Sequence, residues 1–560
     1  MKHQVRLEES VNHLSMVLEA QQQLLKEHKA NMNYAERLDT ILTPTDELTT
    51  QGDDLLIGGC KAADLIEQFG SPLFVLSEDT LRHNLRRVKN AFGNYWPQPV
   101  NVMFAIKSNT NFAVRAICNE EGVGGDCFGP GEVEATHYAG ADPKTIALNG
   151  TVKPELAIRK AIEYGYAVHL DSYEEIEIVE RIAREIKPTE KVRIGVRLKV
   201  LPEDFFDDFT ADAYPFPDFK GAMKWIKFGL LKEEAKKIIN KVKDIDLFEF
   251  YGFHTHLGRF SKDPSGWDAL YRQYARDIIE VSRACEVQPF MMDLGGGWPR
   301  EREPECRSKD NQMNTNTIED YAKIVCQGML EEFNRASFAL PQLWLEPGRY
   351  IAGNIGTLLT SVYVVKDDQE MDYTYTMVDA STYLATLVES QESKNWVLPA
   401  TKMTHALQQK PTEIAGPICI PSIWESGAKM PALKPKDILA IMDVGHYAES
   451  QASQFNSLPR PATVLVKEGQ AELIKRAETV EDVFATQILP ERFKKTTVKK
   501  KATRKTAVKK PATKPATKPA TKPATKPATK PATKPATKPA TKPATKPATK
   551  PATKRKITKS

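Results

Sequence analysis

Short apolar runs alternate with stretches of helical periodicity through the middle of the chain. The apolar runs occupy 100–106, 124–127, 145–149, 167–171, 192–198, 248–256, 289–294 and 342–346. Between them, apolar residues recur every three or four positions over 111–121, 131–139, 153–164, 173–186, 230–243, 267–286 and 318–336. Continuous apolar runs of this length read as strands buried on both faces, and the three-to-four spacing as helices with one inward stripe. Strand and helix in alternation imply right-handed βαβ units and a parallel sheet. Eight such strands in about 250 residues predict a (β/α)8 barrel. A doubly wound open sheet is the structural alternative.

The rhythm differs outside this region. Leu7, Val11, Leu14, Val17 and Leu18 form one amphipathic stripe, so residues 1–50 are expected as a helical extension. The acids Glu8, Glu9 and Glu19 argue against an anionic membrane surface for it. The segment 201–223 is too acidic, aromatic and proline-rich for a helix and reads as a long loop over the strand ends. After about 358 only short strand candidates appear, at 360–365, 373–378, 412–414, 438–442, 462–466 and 472–475, with one helix expected near 402–408. The expected division is therefore a helical extension (1–50), a strand contribution to the β domain (51–76), the barrel (77–358), an all-β domain (359–490) and a basic tail (491–560).

That tail changes the meaning of the net charge. Residues 511–554 are eleven copies of Pro-Ala-Thr-Lys. Proline at every fourth position forbids a helix and nothing is available to bury, so an extended, disordered, polycationic arm is expected. From Lys494 onward there are 23 Lys and Arg and no acid, which leaves 55 basic against 73 acidic residues and a body near −18. The arm is a candidate for nucleic acid or another polyanion through counterion release. It lacks aromatic residues for base stacking, and a plain spacer stands beside that reading. No apolar run approaches a membrane span, and the N-terminus lacks a basic-then-apolar signal. Seven scattered cysteines without a CxxC pair fit a reducing, cytoplasmic setting and argue against a structural zinc or other metal site.

A barrel gathers its chemistry at the C-terminal ends of its strands. Lys107 closes the first run and Asp126 the second; Arg197 lies late in the fifth and His256 in the sixth. Asp293-Leu294-Gly295-Gly296-Gly297 closes the seventh, and Glu346-Pro347-Gly348-Arg349 the eighth. A lysine at the exit of a buried strand either reaches solvent or has its charge removed, and an imine with an aldehyde removes it. Pyridoxal 5′-phosphate gives each member of this set a role. Lys107 would take the aldehyde, and Gly295, Gly296 and Gly297 would let backbone N–H groups approach the phosphate. Arg349 would add charge-assisted bonds to that phosphate. Glu346 would keep the pyridine nitrogen protonated, and His256 would stack on the ring.

The run Phe104-Ala105-Ile106-Lys107-Ser108-Asn109, then Gly125-Asp126-Cys127 with Gly131-Glu132, His254-Thr255-His256-Leu257-Gly258, the Asp293–Gly297 and Glu346–Arg349 segments, Gly445-His446-Tyr447 and Phe455-Asn456-Ser457-Leu458-Pro459-Arg460-Pro461-Ala462 appear in order. Together with Glu478-Thr479-Val480-Glu481-Asp482 they resemble the fold-type III pyridoxal-phosphate decarboxylases of diaminopimelate, ornithine, arginine and related amino acids. The resemblance runs from about 55 to 485. It implies an alanine-racemase-like barrel followed by a β domain, and a homodimer with active sites at the interface. It implies Lys107, His256, Glu346 and Cys419 as catalytic residues, with Cys419 reprotonating the product across the interface. Asp126, Gly348 and Tyr447 join the cofactor set, and Arg349, Tyr447 and Glu425 the substrate set.

The chain also departs from the family pattern. Ile420-Pro421-Ser422-Ile423 follow Cys419 where an acid is usual, so either Glu425 takes that role through a register change, with Trp424 where the cysteine would be, or the role is lost. Arg259 stands where a serine is usual, and no Arg-Pro-x-Leu-Tyr segment occurs between 379 and 405. The expected activity is decarboxylation of a diamino acid, diaminopimelate leading, with ornithine-, lysine- or arginine-type substrates of either hand as the alternative. A racemase on the same barrel, or a catalytically impaired homologue working through its cationic arm, are the readings from other classes.

Overall fold

The computed structural model describes residues 32–202, 224–256, 263–301, 314–385 and 396–494. The amphipathic stripe at 7–18, nearly all of the acidic loop and the repeat arm lie outside the described residues.

Eight strands close into a barrel in chain order: Val100–Ala105, Gly124–Cys127, Ile146–Leu148, Ala167–Leu170, Val192–Arg197, Phe248–His254, Met291–Asp293 and Gln342–Leu345. Every neighbouring pair is parallel, and the ring shuts where the eighth strand pairs with the first, Leu343 against Val100. The open sheet is thereby excluded. Each strand coincides with one of the apolar runs, because a strand covered by helices outside and side chains inside can use apolar residues on both faces. The intervening helices follow their stripes. Glu175–Ile186 buries Ile176, Val179, Ile182 and Ala183 while its outer Arg181 and Arg184 pair with glutamates. Met103, Ala147, Ala167, Met291 and Trp344, all strand residues, form a separate cluster inside the barrel. The two alanines give the space that the tryptophan and methionines fill.

Helix Pro264–Cys285 starts on an Asp263 cap with proline in its first turn. Its Trp267 stacks on Trp298 at 4.5 Å, and Phe92 meets Trp298 edge-on at 5.0 Å. Trp298 directly follows the three glycines, so this aromatic packing anchors the glycine run to the outer helices.

The β domain is centred on Gly356–Asp368, which pairs antiparallel with Tyr373–Val378, Ile438–Ile441 and Leu73–Ser77. Leu73–Ser77 in turn runs parallel to Ala462–Lys467. Leu48–Gln51, Asp54–Ile57 and Cys60–Lys61 make a small sheet of their own on the same apolar core. Helix Tyr34–Ile41, closed by an Asn33–Glu36 capping box, also packs there. No helix forms at 402–408. The hairpin bearing Asp53 and Leu55 takes that backbone instead: Met403 N–H donates to the Asp53 carbonyl, and Leu55 N–H to that of Ala400. Among the described residues, no helix is long and apolar enough to cross a membrane. Residues 489–560 form a unit separate from 1–488, with one short turn, Glu491–Phe493, described in it.

Candidate active site

Beyond Ala105 the first strand breaks into a 3-10 turn, Ile106–Ser108, and Lys107 projects from it. The turn is gripped by a segment from the far end of the β domain. Tyr447 N–H donates to the Ser108 carbonyl at 2.7 Å, and Ser450 Oγ to the Lys107 carbonyl at 2.9 Å. Asn109 Nδ2 reaches back to the Gly445 carbonyl at 3.0 Å. From the eighth strand exit, Gly348 lies against the same turn. A Cβ there would stand 3.0 Å from the Ala105 Cβ, tighter than side chains normally pack.

Lys107 Nζ meets Asp126 Oδ2 at 2.7 Å and lies 4.7 Å from the Phe128 ring centroid. About a third of its side chain (34%) stays accessible. Burial works against its charge, but Asp126, Tyr447 and Glu346 outweigh burial, and the amine sits above its ordinary value. Asp126 is fully buried. Burial and the charge of Glu346 push its carboxyl up, against the pull of Lys107 and Asn149.

Glu346 faces this pair across the barrel mouth. Asn149 Nδ2 donates to Asp126 Oδ1 at 2.7 Å and to Glu346 Oε1 at 2.6 Å. Glu346 Oε2 lies 3.4 Å from His254 Nε2 and 3.7 Å from His256 Nδ1. His254, Asp293 and Glu346 each present one atom within 4.8 Å of the others, a spacing a cation could use. Burial drives His254 well below its ordinary value, while burial and Glu346 drive Asp293 well above its own.

The glycine run is more committed than its sequence implies. Gly295 N–H donates to Asp293 Oδ1 at 2.8 Å, and Gly296 N–H to His256 Nδ1 at 2.9 Å. Gly297, at φ +93°, has no such engagement among the described residues. A Cβ on Gly296 would meet the Glu346 carbonyl at 2.1 Å, so this glycine lets the seventh and eighth strand exits touch. Burial pulls His256 down to about 3. Its ring is neutral, with the proton on Nε2 because Nδ1 accepts. Arg197, on the fifth strand, donates to the His256 carbonyl at 3.0 Å. Arg349 donates to His446 Nε2 at 3.0 Å and lies 5.5 Å from the Tyr447 ring centroid.

Lys107, Asp126, His256, Glu346, Gly295, Gly296, Gly297, Gly348, Arg349 and Tyr447 thus share one mouth. Cys419 and Glu425 make their contacts elsewhere in the subunit. Cys419 is exposed, and its N–H points to Asn456 Oδ1 at 3.4 Å. Glu425 stands opposite Ile414 on strand Ile423–Ala428. There burial and the Glu425 carboxylate hold the Tyr34 phenol above its ordinary value. Asn149 and His169 belong to the site but were not among the sequence candidates.

Comparison with known proteins agrees with this arrangement. A family profile described as "Pyridoxal-dependent decarboxylase, pyridoxal binding domain" matches residues 78–353. The diaminopimelate decarboxylase of Methanothermobacter thermautotrophicus is 31% identical over 454 residues, covering 81% of this chain and 99% of that relative. That of Bacillus subtilis is 26% identical, covering 77% and 95%. A crystal structure of the M. jannaschii diaminopimelate decarboxylase with L-lysine superposes with a TM-score of 0.71 at 26% identity, covering 80% of this chain and all of that one (100%).

Proposed function

The chain belongs to the fold-type III pyridoxal-phosphate-dependent decarboxylases, and from that premise we propose that it removes carbon dioxide from a diamino acid, diaminopimelate first. The observation that carries the reading is the placement of Lys107 and Glu346 at opposite ends of one hydrogen-bonded network in a single barrel mouth. The residues fit pyridoxal phosphate: an amine at a strand exit, a buried carboxylate, a neutral ring beside that carboxylate, and an arginine with Gly297 that would take the phosphate. Bound there, the cofactor supplies an electron sink for the pair of electrons left when carbon dioxide departs.

The chain's own residues have these tasks. Lys107 Nζ would hold the cofactor through its aldehyde carbon. Asp126 keeps that nitrogen charged and aimed. Glu346 holds the proton on the pyridine nitrogen; a carboxylate there favours decarboxylation, where an arginine would favour racemisation. His256 would offer its neutral ring to the cofactor and add no charge. Arg349, with Gly297, takes the phosphate or a substrate carboxylate. Cys419 delivers the final proton from a second subunit, which its exposure on its own subunit allows.

The absent Arg-Pro-x-Leu-Tyr segment supports a second substrate reading, an ornithine-, lysine- or arginine-type amino acid without a distal carboxylate. These tasks are the same for both substrates. The test is carbon dioxide release from a panel of D- and L-diamino acids by the holoprotein and by Lys107→Ala. Turnover of meso-diaminopimelate above the rest supports the first reading, and preference for a monocarboxylate replaces it with the second. Full turnover by Lys107→Ala would overturn both.

A further inference from the structure

Asn149 is buried directly beyond the third barrel strand, Ile146–Leu148. Its amide has two hydrogens, and both are spent on carboxylates: one on Asp126 Oδ1 at 2.7 Å, one on Glu346 Oε1 at 2.6 Å. Its Oδ1 lies 2.8 Å from His169 Nδ1. These three partners leave one orientation for the amide, since a flip would set its oxygen against two carboxylates. They also fix the histidine. Nδ1 must carry the hydrogen, and burial holds His169 well below its ordinary value, so the ring is neutral and has no second hydrogen to misplace. Among the described residues His169 Nε2 meets no polar partner, so the ring's polar function is spent on Asn149. Space for the ring comes from the neighbouring strand: His169 pairs in register with Gly195, and a Cβ at 195 would come within 2.3 Å of His169 Cδ2.

We propose that Asn149, oriented by His169, is a positioning residue that couples the Lys107 end of the site to its Glu346 end. This rests on the roles assigned to Lys107 and Glu346 above. The connection is continuous: Lys107 Nζ to Asp126, Asp126 to Asn149, Asn149 to Glu346. Two buried carboxylates facing one cavity repel, and a single neutral amide that donates to both offsets this without adding a charge that would compete with the cofactor's own ends. Since one rigid side chain serves both, the separation between the anion that steadies the amine and the anion that receives the ring nitrogen is set by the amide itself. A residue that only filled space at 149 would satisfy neither carboxylate.

The test uses pyridoxal phosphate and the full chain: wild type, Asn149→Leu, Asn149→Asp, His169→Phe and His169→Gln. The readouts are cofactor affinity by equilibrium dialysis, the pH midpoint of the cofactor absorbance band, and thermal melting. Asn149→Leu, which keeps the branched shape but has no donor, should bind pyridoxal phosphate about tenfold more weakly and move the midpoint by about one pH unit. Asn149→Asp should be worse than Asn149→Leu, because it sets a further carboxylate against Asp126 and Glu346. His169→Phe should shift both readouts in the same direction as Asn149→Leu, and His169→Gln, which retains a donor, should return them toward wild type. This histidine pair decides the matter if the 149 variants do not fold. Folded variants with wild-type affinity and midpoint, or His169→Gln no better than His169→Phe, overturn the inference while leaving the function intact. A wild-type protein that takes up no pyridoxal phosphate overturns both.

Discussion

Arg349 donates a hydrogen bond to Nε2 of His446 across 3.0 Å. Arginine has only donors, so this contact requires a bare Nε2 and a neutral ring. The His446 and Tyr447 rings meet edge to face at 5.6 Å, which sets the guanidinium between two neighbours in sequence from the β domain. His446→Ala removes this acceptor from the guanidinium. The expected outcome is a threefold to tenfold rise in KM or in the pyridoxal phosphate Kd with little change in kcat, read by steady-state kinetics and dialysis. Equal loss of kcat at unchanged KM would assign His446 to the chemistry instead.

If Cys419 serves a second subunit, two dead variants should rescue each other. Lys107→Ala and Cys419→Ala, mixed under conditions that exchange subunits, would leave about a quarter of all sites with both residues wild type. Recovery of activity toward that fraction is the expected result. Mixtures as inactive as their parents would place the proton donor within one subunit.

The closing segment of the β domain contributes pH-dependent stability. Glu478 accepts from Arg460 Nε at 2.8 Å and from Gln454 Nε2 at 2.7 Å, and chiefly the Arg460 bond draws its carboxyl down to about 2. The unfolded value is about 4.3. A carboxyl depressed on folding stabilises fully above the unfolded value and loses that contribution as pH falls through the folded one. Glu478→Gln should therefore cost about 1 kcal/mol at neutral pH, allowing for solvent screening of a partly exposed pair. The difference from wild type should vanish between about pH 4.3 and 2; denaturant melts at several pH values measure it.

Trp267 is wholly buried against Trp298 and Tyr271. Trp267→Ala should cost about 3–5 kcal/mol and also weaken cofactor binding, since Trp298 anchors the glycine run. Chemical denaturation and dialysis on the same variant check the two effects.

Deletion after Glu491 should leave turnover intact and abolish salt-sensitive retention on a polyanion matrix. Lost turnover would show that the arm takes part in the enzyme; unchanged retention would show that the acidic body, not the arm, makes the contact.

The barrel was legible because buried strands and striped helices write different periods into the sequence. Lys107, Asp126 and Glu346 were legible for a related reason: a charge at the end of an apolar run has to be explained. Asn149 ends the run 145–149 in the same way, but an uncharged amide raises no such question. His169 was hidden more deeply. It lies inside an apolar run, where a histidine reads as core, and its role depends on Gly195 lying beside it, a relation that only strand register reveals. The glycine run drew attention to a phosphate, yet Gly295 and Gly296 spend their N–H groups within the protein. The strand Ile423–Ala428 escaped notice because it is largely exposed and broken by Gly427 at φ +67°.

The grip of residues 445–450 on the Lys107 turn spans more than 300 positions of sequence, 336 and 343 for two of its bonds. During synthesis, a chain emerging from the ribosome completes all eight staves of the barrel long before that grip arrives. A fragment ending in the barrel would keep the Lys107–Asp126 pair but lack the three bonds from residues 445–450 that hold the lysine's turn.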